Sequence, residues 1–272
     1  MFREKLRQLT PLYSPLDVLY QQEYSGPYED LSYEDENCVV IAALKDGKIT
    51  GYGRPVVAVG TDRALKIKIR KLYDVSQDIC YMDFLENNRL SAVSRFLIQQ
   101  GLTAKPYFTQ VINLRKTEDQ LHTHIRKSYK SLCNKETVDI SIIPVLKETH
   151  FEMHDRKTRS DKTWDVQDNM ISKGQAFVLA NEYETSAALF YCNKYSGYYA
   201  CSATRGGKTH PLIWEAMKIL KKKGCRTFEL GEQVFTGDQK LENISRFKSG
   251  FGGYCQTRLM LGSIDWKKKK TT

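Results

Sequence analysis

Ile244-Ser245-Arg246-Phe247-Lys248-Ser249-Gly250-Phe251-Gly252-Gly253 reads as an amphipathic helix that stops in a glycine cluster. Phe247 and Phe251 are four residues apart and share one helix face. Glycine permits backbone geometries and close approaches that side-chain-bearing residues resist, so Lys248 is presented beside an aromatic at a tight corner. What such a corner means depends on the elements leading to it.

Immediately upstream, Thr227 to Leu230 reads as a strand, with Glu229 and Glu232 flanking Gly231 near its end. Before it come a helix from Pro211 to Lys223 and strands at Tyr198 to Ser202, Thr185 to Tyr191 and Ala176 to Ala180. Further back lie a helix from Asp165 to Lys173, another starting near Lys147, and a strand from Val138 to Val145. A last strand is expected from Cys255 to Leu261. The N-terminal part shows Cys38 to Leu44, an Asp46-Gly47 turn of hairpin type, and a return through Ile49 and Tyr52 towards Val56 to Val59. Then follow a strand at Cys80 to Phe84, a helix from Ser91 to Gln100 closed by Gly101, and a strand from Tyr107 to Leu114. Thr117 caps a helix with an acidic first turn, which runs on into a basic segment and links two halves. The expected fold class is α+β, with domains 1–136 and 137–272.

The chain has 272 residues, 41% hydrophobic and 27% charged, an ordinary soluble composition long enough for two modest cores. Its formal net charge of +10 favours anionic partners, although the Lys267 to Lys270 run supplies part of it. Seven cysteines without a CxxC pair read as reduced thiols of a cytoplasmic protein and offer no zinc spacing. The N-terminus lacks the apolar core of a signal peptide and no apolar run of membrane-spanning length occurs, so no transmembrane segment is expected.

Several constellations could carry chemistry. The turn Arg205-Gly206-Gly207-Lys208-Thr209-His210 leads from a strand into a helix with Pro211 in its first turn, so backbone donors there could meet an anion, helped by Arg205 and Lys208. Gly207-Lys208-Thr209 is not a phosphate loop, because Ser202 stands where the first glycine should be. His150 and His154 flank Glu152 but not in the order of a zinc helix, and read as two surface histidines; no metal is expected. The cluster Arg156 to Ser160, with Arg156 and Arg159, could grip phosphate or carboxylate through guanidinium forks. Glu232, after the glycine, is the preferred general base over Glu229. Arg126-Lys127-Ser128-Tyr129-Lys130 interleaves cations with an aromatic, which suits phosphate contact or RNA stacking.

In order and spacing, Leu114 to Lys135, Arg156 to Ser160 before Trp164, Tyr198 to Ala203, Pro211 to Gly224, Phe228 to Gly231 and Ile244 to Gly253 resemble the FemAB-like proteins. These are aminoacyl-tRNA-dependent transferases of peptidoglycan bridge synthesis, with relatives in envelope polysaccharide clusters. The resemblance runs from about Val111 to Leu261. It implies a tandem GNAT-like fold, the first half degenerate, and an N-acyltransferase in which Phe247 and Lys248 lie at the transfer centre. Backbone donors near Ser202 and Phe247 would face an oxyanion, and Arg126, Lys127, Tyr129, Arg156, Arg159, Arg205, Lys208 and His210 would bind substrate. No bound cofactor is implied. The Arg205 to His210 turn does not match the [RQ]xxGx[GA] loop of acetyl-CoA-dependent enzymes, and no heptad arm for tRNA is visible, so the donor is an acyl-CoA or an aminoacyl-tRNA. The acceptor is an amine on an anionic small-molecule or lipid-linked envelope precursor. Two other readings stand beside this one: a coenzyme A-dependent acetyltransferase of a small amine or sugar, and a non-catalytic basic module binding RNA or another polyanion.

Overall fold

The computed structural model describes residues 1–263; the Lys267 to Lys270 run lies outside them. In chain order the elements are α1 (Phe2–Leu9), α2 (Pro15–Ser25), β1 (Glu29–Asp30), β2 (Tyr33–Glu34), β3 (Cys38–Ile41), β4 (Ala43–Lys45), β5 (Lys48–Thr50), β6 (Val57–Gly60), α3 (Asp62–Val75), β7 (Tyr81–Asp83), α4 (Ala92–Gln99) and β8 (Thr103–Asn113). They continue as α5 (Glu118–His124), α6 (Lys127–Cys133), β9 (Val138–Ser141), α7 (Ile143–His154), α8 (Asp161–Ser172), β10 (Ala176–Asn181), β11 (Ser186–Cys192), β12 (Ser196–Thr204), α9 (His210–Lys222), β13 (Thr227–Gln233), α10 (Gln239–Ser249) and β14 (Tyr254–Gly262).

The described residues form two compact units: one of Met1–Leu9, Gln21–Tyr107 and residues 257–263, the other of Thr10–Tyr20 and Phe108–Gln256. Segment 108–136 therefore clusters with the second unit. In the first, Asp46-Gly47 turns β4 back onto β5 as the sequence suggests, with Leu44 opposite Ile49. Its return stops at Thr50, because Tyr52 adopts a left-handed φ of 57° and turns the chain out of the strand. β3 pairs with β6 instead. Val40, Ile49, Leu65, Ile69, Tyr81, Val93 and Leu97 form this unit's core.

The second unit is built on strands in the order β8, β13, β12, β11, β10, β9. β11 is buried along its whole length, as an apolar central strand covered on both faces must be. On one face Phe177, Phe190, Leu212, Met217, Phe228 and Phe251 pack together under α9. Each such fully buried side chain contributes about 1.5–3 kcal/mol. Beneath α7 and α8 on the other face lie Leu146, Trp164, Met170, Val178, Leu189 and Tyr191. Helix starts follow their caps. The Thr117 hydroxyl accepts from Gln120 N at 3.2 Å in a full capping box. α8 begins at Asp161, four residues before the expected start, because Ser160 caps it. α7 starts at Ile143 with Pro144 in its first turn, which shortens the strand expected to reach Val145.

Candidate functional site

β12 and β13 run parallel for three paired positions only, ending with Tyr198 opposite Glu229. Beyond that point β12 continues to Thr204 against β11, and β13 continues to Gln233 against β8, so the two strands part. A bulge on β13 between Glu229 and Gly231 marks the fork, with Gly231 at φ +88°. Glycine relieves the strain of that left-handed position.

α10 closes on this fork. Asp238 caps it by accepting from Leu241 N at 3.0 Å. The Ser245 hydroxyl accepts from Val234 N at 2.7 Å and donates to Leu241 O at 2.9 Å, tying the helix to the end of β13. Consecutive helical residues point about 100° apart, so Phe247 and Lys248 enter different surroundings. The Lys248 ammonium donates to Glu232 O at 3.1 Å and lies beside the Tyr198 hydroxyl over Gly231. Burial lowers the Lys248 pKa, and the Glu232 and Glu229 carboxylates oppose that shift. Glu229 is buried and accepts from Thr109 Oγ1 at 2.8 Å, whereas the Glu232 side chain is exposed and its carbonyl holds the lysine.

Phe247 joins Tyr129, His210 and Phe251. The ring of His210 stands edge-on to Tyr129 at 4.3 Å and to Phe247 at 5.1 Å. Its Nδ1 is buried with no hydrogen-bond partner, and burial, then Lys208, lowers its pKa. Arg126 lies 4.9 Å from the Tyr129 ring centroid and donates to Arg246 O at 3.0 Å, with Arg126 N donating to Gly250 O at 2.8 Å. Two groups thus form around α10: Lys248 at the Glu232 carbonyl, and Phe247 with Tyr129, His210 and Arg126.

The other sequence-derived residues have different settings. Lys127 and Lys208 are exposed. Arg205 pairs with Glu152 at 2.7 Å. Ser202 shares a hydrogen bond with the Tyr199 hydroxyl, whose pKa burial pushes up to about 12. Phe247 sits inside α10, where main-chain N–H groups serve the helix, so it offers no free backbone donor to an oxyanion. Arg156 is exposed, while Arg159 is half-buried, 4.3 Å from the Trp164 ring centroid, and donates to Tyr20 Oη at 3.2 Å. His150 corrects the reading as a surface histidine: it is buried, its Nδ1 lies 3.0 Å from Thr158 Oγ1, and its ring is tilted against His154 and edge-on to Trp164. Burial, then the Arg159 and His154 charges, lowers its pKa to about 4. Among the described residues no three His, Cys, Asp or Glu side chains are grouped to hold a metal ion. No described helix is long and apolar enough to cross a membrane. Sequence reasoning did not single out Tyr198 or Thr109, since nothing in a tyrosine or threonine on a strand marks it as standing at a fork.

These elements define an α+β fold of the tandem GNAT-like class. The chain superposes on the crystal structure of FemX with a TM-score of 0.59 at 13% identity, covering 89% of this chain and 94% of that one. L-PGS from Bacillus licheniformis matches with a TM-score of 0.58 at 11% identity, over 95% and 93% of the two chains. A conserved protein of unknown function from Bacteroides thetaiotaomicron matches with a TM-score of 0.65 at 8% identity, over 94% and 92%. By sequence, no family model and no curated protein matches the chain. The FemAB-like resemblance therefore has a counterpart at the level of fold.

Proposed function

We propose that the protein is an N-acyltransferase that moves an acyl or aminoacyl group onto the amine of an anionic cell-envelope precursor in the cytoplasm. The observation that carries this reading is the Lys248 ammonium, half-buried at the fork of β12 and β13 beside the Tyr198 hydroxyl. A cation held in a partly desolvated cleft stabilises the charge that develops on a carbonyl oxygen far better than one in water. As the acceptor nitrogen attacks, a C–N bond forms, the ester or thioester bond to the donor breaks, and the proton lost by the amine ends on the departing alcohol or thiol. Lys248 faces the developing oxyanion, and the lowered pKa that burial gives it also suits the lysine to relay that proton. Glu229 and Glu232 keep the site's positive charge in place.

The donor is an acyl-CoA or an aminoacyl-tRNA. The experiment offers each, radiolabelled, to purified protein with a panel of amino-sugar and peptidyl phosphates. Label transfer from one donor to an amine is expected, and failure with both donors across the panel would overturn the reading. Acetyl-CoA that raises the melting temperature would favour the thioester. Salt-sensitive tRNA binding without transfer would favour the polyanion-binding module instead.

A further inference from the structure

A cleft of about 610 Å³ is lined by α7, α8 and the loop joining them, all within the second unit. Arg159 and Arg156 face it from the loop, and Ile142, Pro144 and Phe151 give it an apolar side. The Arg159 guanidinium is held by neutral groups: the Trp164 ring, Tyr20 Oη at 3.2 Å and Gln167 Oε1 at 3.4 Å. Among the described residues it has no carboxylate partner within ion-pair distance, and Arg156 makes no ion pair or hydrogen bond. Lys147 and Lys157 differ, since both engage Asp161, at 2.7 and 3.6 Å. A guanidinium fixed by neutral partners and partly withdrawn from water is an arrangement that an anion completes.

The apolar side is unusual in its exposure. Ile142 is 59% exposed and Phe151 47%. Glu148, Asp165 and Asp168 also face the cleft, all open to solvent, which confines an anion to the Arg159 end.

The cleft and the fork share a sheet face. A bulge between Leu189 and Phe190 in the β11–β12 ladder leaves Cys201 opposite Leu189 and Tyr198 opposite Tyr191, so Cys201 and Tyr198 point the same way. The Arg159 charge acts on the Cys201 thiol, and the Tyr198 hydroxyl and the Lys248 ammonium both approach Gly231. Cys201 and Tyr198 are three positions apart, about 10 Å along the strand.

We propose that this cleft holds the acceptor, and that the acceptor is an anionic amphiphile: a phosphate at Arg159, an apolar chain along Ile142 and Phe151, and the reacting amine about 10 Å from the phosphate. The acceptor is then lipid-linked rather than nucleotide-linked. The amine's place rests on the acyltransferase reading above; the binding of the amphiphile does not.

The test is calorimetric titration of the full chain with dodecyl phosphate below its micelle concentration, beside inorganic phosphate, dodecyl maltoside and a uridine-diphosphate amino sugar. Dodecyl phosphate should bind at one site and at least about tenfold tighter than the other three, because only it satisfies both parts of the cleft. Ile142→Asp and Arg156→Ala, both at exposed positions, should each weaken it by about tenfold, as should Arg159→Gln. Equal or tighter binding of the nucleotide sugar, equal binding of the neutral maltoside, or affinity unchanged in both Ile142→Asp and Arg156→Ala would each overturn the assignment. Protein that transfers acyl groups but does not bind dodecyl phosphate would overturn the cleft alone. Binding without transfer from either donor would uphold the cleft and overturn the catalytic reading.

Discussion

A Cβ placed on Gly231 would stand 3.3 Å from Lys248 Nζ and 3.4 Å from the Tyr198 hydroxyl, on a backbone whose φ is +88°. The lysine reaches the parting strands because that strand position carries no side chain. Gly231→Ala should lower stability by about 1–2 kcal/mol, the usual penalty for a side chain in the left-handed region, measured by urea unfolding. It should also displace the ammonium and slow transfer by about tenfold or more at temperatures where the variant is fully folded. An alanine variant with unaltered turnover would show that the contact plays no part in transfer.

Gly250 allows a second close approach. Its Cβ would meet the Tyr129 ring at 2.1 Å, so Gly250→Ala should overpack the site and cost about 1–3 kcal/mol. Shrinking the ring in Tyr129→Ala should relieve the clash, making the double variant much less destabilised than the sum of the singles. Additive losses in denaturant unfolding would mean that the two residues do not press on each other.

Much of this site was legible beforehand. Phe247 and Phe251 at helical spacing, the glycines after Lys248, and the tyrosine within a basic helix all pointed to residues that meet. Thr117, Ser91 and Asp46-Gly47 marked element ends because capping and turn chemistry is local. Illegible were the facts fixed by pairing across the chain. That β12 and β13 separate after Tyr198, and that Glu229 turns inward while Glu232 faces solvent, follow from a ladder and a bulge involving β8, more than a hundred residues away in sequence. His150 looked like a surface residue because the groups that meet it, Thr158 of the following loop and Trp164 of α8, are brought there by the fold. Arg159 was found by its charge, but its neutral setting among Tyr20, Gln167 and Trp164 depends on three separate segments.

His150 should leave a pH signature. Its pKa is about 4 in the folded protein against an ordinary 6.5, so below pH 6.5 the unfolded chain binds the extra proton first. The stabilisation is complete above about 6.5 and is lost as pH falls towards 4. His150→Phe keeps a ring without the titration, so its melting temperature should fall less than wild type's over that window. Parallel curves for the two proteins would refute the assignment.

The Lys248 ammonium should titrate below a solvated lysine, with Glu232 and Glu229 holding it up. Glu232→Gln and Glu229→Gln remove negative charge, so each should move the Lys248 midpoint further down, read from its side-chain NMR signal. An upward shift in both would mean that neither carboxylate faces the lysine.

The most direct measurement is a single-turnover comparison of wild type with Lys248→Met, using whichever donor supports transfer and an amine acceptor, with matched melting temperatures as the folding control. Methionine keeps the apolar stem and removes the charge. Loss of a cation aimed at the reacting carbonyl should slow the chemical step by about 100- to 1,000-fold while leaving donor and acceptor binding nearly unchanged. A folded Lys248→Met protein that transfers at the wild-type rate would contradict the assignment of Lys248 to the transfer centre.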